Sequence, residues 1–371
     1  MVWGVAIMPK YLIVLDEKAN ENILNDYDIF SYESLPYLKT ILIAYMDDKE
    51  ANSLRENPLI KSVEHDGEDE VDAIDTRHDS AILTDAFKHM NINKFHEEGI
   101  TGSGFKVAVM DTGMQPHINL KVKGGVNAYN SAVPWNADLV SNHGTQVAGV
   151  INAQGVNNDL LGIAPDADLY CIRIDDGTGG LNRTTWSSQI AGINWAVANG
   201  IDAVNCSFSS LIDSSARKEA FRLAAEAGVA IFCSGGNTQP SGDTTSFTVP
   251  YPAKYPFCIG NANIMSNKVR NWNSCIGRGL NFATVATSVR LTTRDTSVTT
   301  SGKYTTGTGT SFAAPANMGI YILYRQKYGE GKEKTLQRMA LNSEDLGSPY
   351  WYGAGLPKYP TKNYLNVQVR G

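Results

Sequence analysis

Short apolar runs and amphipathic stretches alternate along most of the chain after about residue 100. Runs of apolar or β-branched residues with the length of buried strands occupy 107–110, 169–174, 203–206 and 229–233. Apolar residues at helical spacing lie between these runs, for example over 189–198 and 217–227. Because parallel strands require long crossover connections, this alternation predicts an α/β fold with a mostly parallel central sheet flanked by helices.

A smaller pattern precedes this region. Strand-like runs occupy 10–15, 40–46 and 59–66, and a short helix is predicted over 48–57, where Pro58 ends it. Residues 66–79 then carry seven acids and one arginine among few apolar residues, a composition that buries little surface. We expect a small α+β domain over residues 1–75 and a larger domain over 80–371. The acidic segment between them is either a solvated surface loop or an exposed linker open to cleavage.

Composition and charge narrow the classes of protein. Hydrophobic residues make up 42% of the 371 residues, which allows a large core, and no apolar stretch approaches the ~18–20 residues of a membrane span. The formal net charge of −6 argues against nucleic acid as a partner. The apolar N-terminus has no preceding positive residue and is followed at once by Pro9 and Lys10, unlike a secretory signal. We therefore expect an intracellular or virus-associated protein, or export by another route.

The cysteines form no recognisable pairs. The chain has five cysteines, an odd number: Cys171, Cys206, Cys233, Cys258 and Cys275. None of them are closely spaced, and there is no zinc-type CxxC motif. Buried, reduced thiols are expected in preference to disulfides.

Three segments carry the chemistry of a nucleophilic serine. Ser311 lies in Gly-Thr-Gly-Thr-Ser-Phe-Ala-Ala-Pro, His143 in Asn-His-Gly-Thr-Gln-Val-Ala-Gly, and Asp111 in Val-Ala-Val-Met-Asp-Thr-Gly. A serine hydroxyl is a weak nucleophile unless an imidazole takes its proton, and a carboxylate then fixes the imidazole tautomer. The only histidine that competes as the base is His117, which lacks the Gly-Thr context, and we interpret it as a surface or packing residue.

With the chain order Asp, His, Ser, these motifs closely resemble those of the subtilisin-like serine proteases, the subtilases, over about residues 85–360. The resemblance implies the three-layer subtilisin-like fold, peptide-bond hydrolysis of polypeptide substrates and no cofactor for the chemistry. An inactive scaffold that binds peptides is the main alternative, and the intact catalytic residues argue against it. An esterase or lipase is disfavoured because the GxSxG elbow is absent.

A fourth segment, Gly-Val-Ala-Ile-Phe-Cys-Ser-Gly-Gly-Asn, is a strand-like run that ends in a glycine turn at Asn237. By resemblance, the Asn237 amide stabilises the oxyanion together with the Ser311 backbone N–H. The alternative is a turn asparagine in a left-handed conformation.

The resemblance also places a substrate groove. It implies an edge strand at Gly179, Gly180 and the next few residues. It also implies two walls of the primary pocket, formed by Ser207, Phe208 and Ser209 on one side and by Ser234, Gly235 and Gly236 on the other. Subtilases commonly have glycine where Ser209 stands, so this serine either narrows the pocket or is an ordinary loop residue.

One further family feature is implied less directly, and a second stays open. Residues 1–75 resemble the propeptide domain of secreted subtilases, most closely in the Val-Glu-x-Asp ending at residues 63–66. The resemblance implies an intramolecular inhibitor and folding aid that the enzyme removes itself, and the alternative is an unrelated accessory domain. Structural calcium stays open, since the loop over 154–159 offers oxygen ligands while Asn119 stands where the family has an aspartate.

Overall fold

The computed structural model describes residues 8–71, 83–137, 141–177, 183–237, 245–295 and 297–361. Within these ranges the strands are β1 (Lys10–Leu15), β2 (Ser31–Ser34), β3 (Ile41–Tyr45), β4 (Ile60–His65), β5 (Glu68–Val71), β6 (Lys106–Asp111), β7 (Val122–Asn127), β8 (Asp168–Arg173), β9 (Arg183–Thr185), β10 (Ala203–Cys206), β11 (Phe208–Ser209), β12 (Ala230–Ser234), β13 (Ile259–Ile264), β14 (Leu280–Val285), β15 (Val289–Thr293), β16 (Lys303–Gly307), β17 (Ser343–Glu344) and β18 (Leu356–Pro357).

The α-helices of the same ranges are α1 (Asp48–Arg55), α2 (Leu83–Met90), α3 (Ile92–Glu97), α4 (His143–Asn152), α5 (Trp186–Ala198), α6 (Ser215–Glu226), α7 (Thr310–Tyr328), α8 (Lys332–Leu341) and α9 (Pro349–Tyr352), with 3-10 turns at Glu21–Asp26 and Val156–Asn158. None of these helices is both long enough and apolar enough to cross a membrane.

A seven-stranded sheet forms the centre of the molecule. Its strand order is β14-β13-β12-β10-β6-β8-β7, and every neighbouring pair is parallel. The four strands expected from the apolar runs are β6, β8, β10 and β12. The prediction of a mostly parallel central sheet flanked by helices is therefore confirmed.

Side-chain alternation along the central strands fills a core on each face of the sheet. In β6, Ala108 and Met110 join a cluster with residues of α5 and α6, whereas Val107 and Val109 join a second cluster with residues of α4 and α7. This period of two residues is what a strand buried on both faces requires. The resulting three layers place the first turns of α4 and α7 on the same side of the sheet.

The N-terminal residues form a second, antiparallel sheet with the order β2-β3-β1-β4. One face packs on α1 in a small core that includes Ile13 and Leu54, and the other face joins the large cluster through Leu12 and Ile43. The strands predicted over 10–15, 40–46 and 59–66 and the helix predicted over 48–57 are confirmed as β1, β3, β4 and α1. The exposed strand β2 was not predicted.

The acidic segment differs from its prediction. The described part, through Val71, forms strand β5, which pairs antiparallel with β11 on one side and β9 on the other. Glu68 and Glu70 are exposed, while Asp69 and Val71 are buried. A solvated loop or exposed linker is therefore wrong for 66–71, because backbone pairing on both edges and alternation of side chains bury half of this strand. Residues 72–79 of the segment lie outside the described residues.

All five cysteines lie among the described residues, where they are buried and none forms a disulfide, as expected. Burial raises the pKa of the Cys171, Cys206 and Cys258 thiols well above the ordinary value, since it disfavours the thiolate. These side chains act as small hydrophobic residues of the core.

Candidate active site

The aspartate and the histidine of the first two motifs meet in a buried pair. Asp111 is the last residue of β6 and His143 the first residue of α4. His143 Nδ1 lies 2.8 Å from both carboxylate oxygens of Asp111, and the two side chains are only 3% and 1% exposed. The Thr112 N–H also donates to Asp111 Oδ1, at 2.7 Å. A carboxylate at Nδ1 selects the tautomer with the proton on that nitrogen, which leaves Nε2 as the basic atom.

Close approach of the two motifs explains a glycine in each of them. A Cβ atom on Gly144 would lie 2.1 Å from the Gly113 carbonyl oxygen and 3.3 Å from Asp111 Cβ. Gly113 itself has a φ of 87°, in the region that side chains disfavour. The Asp-Thr-Gly and His-Gly-Thr segments are thus held together by backbone contact, which fixes the carboxylate against the imidazole.

Ser311 is the second residue of α7, a helix that packs against the central sheet. The hydroxyl of Ser311 is buried, and neither Ser311 Oγ nor His143 Nε2 has a hydrogen-bond partner in the part of the chain that the structure describes. The ring of Phe312, the next residue, lies 6.2 Å from the His143 ring. Buried polar atoms nearly always have a hydrogen-bond partner. An imidazole nitrogen and a hydroxyl that both lack one, on residues whose neighbouring rings lie close together, therefore indicate a reactive site.

The main chain of Ser311 is held by Ser207, the residue between β10 and β11. Pro315 lies four residues further along α7 and has no N–H to donate to the Ser311 carbonyl. The Ser207 hydroxyl donates to that carbonyl instead, at 2.9 Å, and accepts a hydrogen bond from Asn205 Nδ2 at 2.9 Å. Ser207 is fully buried. It was predicted as a wall of the primary pocket, and its observed contact is with the backbone of Ser311.

Asn237 follows β12 and is tied to the start of α7. Its Oδ1 accepts hydrogen bonds from the Thr310 N–H and hydroxyl, both at 2.9 Å. Gly236 donates to the Thr310 hydroxyl at 3.1 Å, and with a φ of 94° it makes the turn that brings the asparagine there. Since the amide oxygen faces Thr310, the NH2 group is the donor that Asn237 presents on its other side.

The remaining predicted groove residues are distributed as follows. Phe208 and Ser209 form β11, which is paired with β5, and Ser234, Gly235 and Gly236 are buried at the end of β12. Gly179 and Gly180 lie outside the described residues. The described residues begin again at Arg183 with β9, which pairs with β5 on the side opposite β11.

Comparison with known proteins adds the family. A model of the subtilase family matches residues 102–355. The chain is 30% identical over 355 residues to a thermostable alkaline protease from Halalkalibacterium halodurans, with 94% of this chain and 90% of that protein aligned. It is 32% identical over 329 residues to subtilisin NAT from Bacillus subtilis subsp. natto, with 88% and 79% aligned. The chain belongs to the subtilase family.

Among solved structures, this subtilase is similar to fervidolysin from Fervidobacterium pennivorans, a keratinolytic enzyme related to subtilisin. The TM-score is 0.78 at 22% identity, and the match covers 95% of this chain and 60% of that chain. The likeness confirms the subtilisin-like fold. As a member of this family, the chain is a serine protease. Serine proteases are hydrolases that act on polypeptides.

A set of residues around Asp69 was not predicted from the sequence. Arg217 forms an ion pair with Asp69, and both side chains are fully buried. Trp186 and Gln189 donate to the same carboxylate. One signal was available, because Arg217 interrupts the apolar stripe of α6 that Ala220, Phe221 and Ala224 otherwise form.

The donor set of the 154–159 loop, where calcium was left open, does not fit a calcium ion. Asn119 Oδ1 accepts hydrogen bonds from the Gln154 and Val156 N–H groups, both at 2.9 Å, and Asn119 Nδ2 donates to the Leu160 carbonyl at 2.7 Å. The loop carboxylate, Asp159, forms a two-pronged ion pair with Arg290 at 2.5 and 2.7 Å. Calcium needs six to eight oxygen ligands. Here the Asn119 side chain and the Asp159 carboxylate are already committed to protein donors and acceptors.

Proposed function

We propose that the chain is an endopeptidase in which Ser311, His143 and Asp111 act as a catalytic triad. The observation that carries this proposal is the buried pair of His143 Nδ1 and the Asp111 carboxylate, 2.8 Å apart, which leaves His143 Nε2 without a partner among the described residues. The partnerless Ser311 hydroxyl supplies the nucleophile. Their arrangement at strand ends and helix starts supports the same assignment.

The chemistry follows from these three groups. Ser311 Oγ attacks the carbonyl carbon of the scissile peptide as its proton passes to His143 Nε2, and Asp111 stabilises the imidazolium that forms. His143 then donates that proton to the leaving amine, so that the C–N bond breaks and an ester of Ser311 remains. Water, deprotonated by the same imidazole, attacks the ester and releases the acid and the free hydroxyl.

The oxyanion of each tetrahedral intermediate needs fixed donors. We assign this role to the Asn237 NH2 group and the backbone N–H of Ser311, at the N-terminus of α7. The two bonds from Thr310 to Asn237 Oδ1 support this orientation of the amide. Donors that are already in place before the reaction stabilise the developing charge without reorganisation, and loss of one typically reduces kcat by about 10²–10³-fold.

The N-terminal residues, 1 to about 75, are proposed to assist the folding of the catalytic residues, 80–371. They are also proposed to inhibit the active site until the enzyme removes them. The position of β5 supports the inhibitory role, since this strand pairs with β11 and β9 as an extended substrate would. Two acids of the same region reach helix starts in the catalytic part. Glu64 accepts from the Ala216 N–H at 2.9 Å and Asp66 from the Ser187 N–H at 2.8 Å. Carboxylates at helix N-termini are favourable contacts that hold the two parts together.

Substrates are proposed to be extended polypeptides that replace β5 between the same two strands. Backbone pairing with β11 and β9 makes little demand on sequence, while the side chains that alternate inward meet the buried groups of the groove. Ser234, Gly235 and Gly236 are proposed as the second wall of the pocket next to Ser311.

The test compares the wild-type chain with Ser311→Ala by intact mass and N-terminal sequencing, and by hydrolysis of denatured casein. We expect the wild type to lose roughly 70–80 residues, the size of one small domain, and to cleave casein. The variant should stay whole and inactive. A wild-type chain that stays whole and leaves casein intact would contradict the triad and support a peptide-binding scaffold.

A further inference from the structure

The side chain of Asp69 enters a buried pocket that binds a carboxylate. Asp69 is 3% exposed, although the acids on either side of it in β5 are exposed. Its Oδ1 accepts from Trp186 Nε1 at 2.9 Å, its Oδ2 accepts from Gln189 Nε2 at 3.0 Å, and Oδ2 is also paired with Arg217. Three donors therefore converge on one carboxylate.

The donors of this pocket all belong to the catalytic part of the chain. Arg217 Nη2 donates to the Ile212 carbonyl at 2.8 Å, and the guanidinium lies 5.3 Å from the Trp186 ring and 5.9 Å from the Tyr255 ring. These contacts do not involve the N-terminal residues. A nearby acid, Asp213, accepts a hydrogen bond from the Tyr255 hydroxyl at 2.9 Å. When β5 leaves, the pocket keeps its cation and loses the carboxylate that is paired with it.

The pocket also lies on the path of a substrate. Val71, two residues after Asp69, pairs with Phe208. The residue before Phe208 is Ser207, and its hydroxyl contacts the Ser311 carbonyl. The strand β5 thus runs toward Ser311, and Asp69 lies on the N-terminal side of the bond that Ser311 would attack.

We propose that the groove selects substrates with an acidic side chain at the position that Asp69 occupies in β5, and that Arg217 determines this specificity. The proposal rests on the triad assigned above. An apolar side chain at this position leaves a desolvated guanidinium without a counter-charge. A neutral amide keeps one acceptor oxygen, but it loses the charge and turns its NH2 group toward one of the donors. The substrate class is therefore polypeptide with an aspartate or glutamate at this site.

The experiment measures kcat/KM of the full-length wild-type chain on fluorogenic peptides that copy residues 66–76. Three variants of the peptide are compared with the parent: Asp69→Leu, Asp69→Asn and Glu70→Gln. Glu70 is an exposed acid in the same strand, so its neutralisation is a matched control for the change in peptide charge. Mass spectrometry confirms that the same bond is cut in each peptide.

We expect Asp69→Leu to lower kcat/KM by roughly 10- to 100-fold, Asp69→Asn to give an intermediate loss, and Glu70→Gln to change it less than about 2-fold. Equal kcat/KM for the parent and the Leu peptide would overturn the proposal, as would hydrolysis of casein without hydrolysis of the parent peptide. Failure of the triad is distinguishable, because then neither casein nor any peptide is cleaved.

The enzyme variant Arg217→Leu gives a second readout. It should reverse the order, so that the Leu peptide is cleaved faster than the parent peptide. This ratio does not depend on the fraction of enzyme that folds. An unchanged preference for Asp in that variant would overturn the role of Arg217, and the peptide series on the wild type stands independently if the variant does not fold.

Discussion

The hydroxyl of Ser207 donates a 2.9 Å hydrogen bond to the backbone carbonyl of Ser311, the carbonyl that Pro315 leaves without a helical donor. The contact spans 104 residues of chain and is fully buried. It joins the end of the β10 region to the first turn of α7. The position of the nucleophile therefore depends on a side chain that takes no part in proton transfer.

Replacing Ser207 by alanine should lower activity without removing any reacting group. The Ser311 carbonyl would be buried without a donor, which costs about 1–3 kcal/mol, and the first turn of α7 would shift to find one. We expect kcat on a peptide substrate to fall roughly 10-fold or more, with a smaller change in KM, since displacement of a reacting atom affects mainly the chemical step.

Ser301→Ala is the matched control for this substitution. Ser301 is equally buried, and its hydroxyl donates to a backbone carbonyl as well, that of Thr293 at 2.5 Å, but it belongs to none of the proposed catalytic or pocket residues. Its removal should lower the stability of the chain while leaving kcat within about 2-fold of the wild type. Equal losses of kcat in the two variants would show that loss of a buried hydrogen bond in general, and not the bond to Ser311, explains the effect of Ser207.

Glu64→Ala should loosen the contact between the N-terminal sheet and α6. The Glu64 carboxylate accepts from the Ser214 hydroxyl at 2.5 Å and from the Ala216 N–H at 2.9 Å. Loss of a capping acceptor typically costs about 0.5–2 kcal/mol. In the Ser311→Ala background, which keeps the chain whole, we expect a lower urea midpoint and faster hydrogen exchange of the amides in β4 and β5.

One further variant separates the charge of Glu64 from its hydrogen bonds, and another is a control for the loss of an acid. Glu64→Gln keeps an acceptor oxygen and should lose less stability than the alanine variant. Glu17→Ala removes an exposed acid from the same N-terminal region and should change stability by less than about 0.5 kcal/mol. Unchanged exchange in β4 and β5 of Glu64→Ala would contradict a docking role for the carboxylate.

The central strands and the candidate triad could be predicted because their signals are local. Strands such as β6 are continuous apolar runs, and Asp111, His143 and Ser311 each lie in a short motif. Strand β13 could not be predicted in this way, because it contains Asn261 and Asn263. Both asparagines are buried and bonded to distant groups, Asn261 to the Cys233 carbonyl and Asn263 to the Ala286 N–H. Long-range hydrogen bonds outweigh the weak strand preference of asparagine there.

The acidic segment shows the opposite case, in which a correct local rule gave a wrong prediction. Seven acids over 66–79 favour solvation, and Glu68 and Glu70 are exposed as that rule expects. Asp69 is buried only because Arg217, 148 residues away, supplies its counter-charge. A pattern within one segment does not reveal a partner at that separation.

Chelation of metal ions should leave the stability of the chain unchanged. The Asn119 side chain is hydrogen-bonded to the backbone of Gln154, Val156 and Leu160, and Asp159 is paired with Arg290. We expect the same Tm with EDTA or added calcium in the Ser311→Ala background. A rise in Tm with calcium would contradict the lack of fit between these donors and the ion.

Asn119→Asp tests the same loop from the protein side. The substitution removes the Nδ2 donor and places a carboxylate against the Leu160 carbonyl, 2.7 Å away in the wild type. An unpaired buried acceptor costs about 1–3 kcal/mol, so we expect a clear fall in Tm. Asn158→Asp is the control, since the same chemical change occurs at an exposed position of the loop and should have little effect.

His117 should make stability depend on pH. The residue is 4% exposed, its Nε2 lies 2.8 Å from the Lys303 carbonyl, and its Nδ1 accepts from the Asn119 N–H at 3.1 Å. Such a pair of bonds requires the neutral ring with its proton on Nε2. The prediction of a surface or packing histidine is resolved in favour of packing.

Burial lowers the pKa of His117 below its ordinary value of 6.5, although the Lys303 carbonyl and the charge of Asp159 act in the opposite direction. The unfolded chain therefore takes up a proton below pH 6.5 before the folded chain does. The stability that the neutral ring provides is complete above pH 6.5, and it decreases as the pH falls from there toward the lowered pKa of the folded state.

The free energy of unfolding, measured by urea titration in the Ser311→Ala background, should thus decrease between pH 7.5 and 5.5 more steeply in the chain with His117 than in the His117→Gln variant. If His117→Gln retained the full pH dependence, other groups would account for it, and the buried neutral imidazole would have no part in the acid sensitivity of the fold.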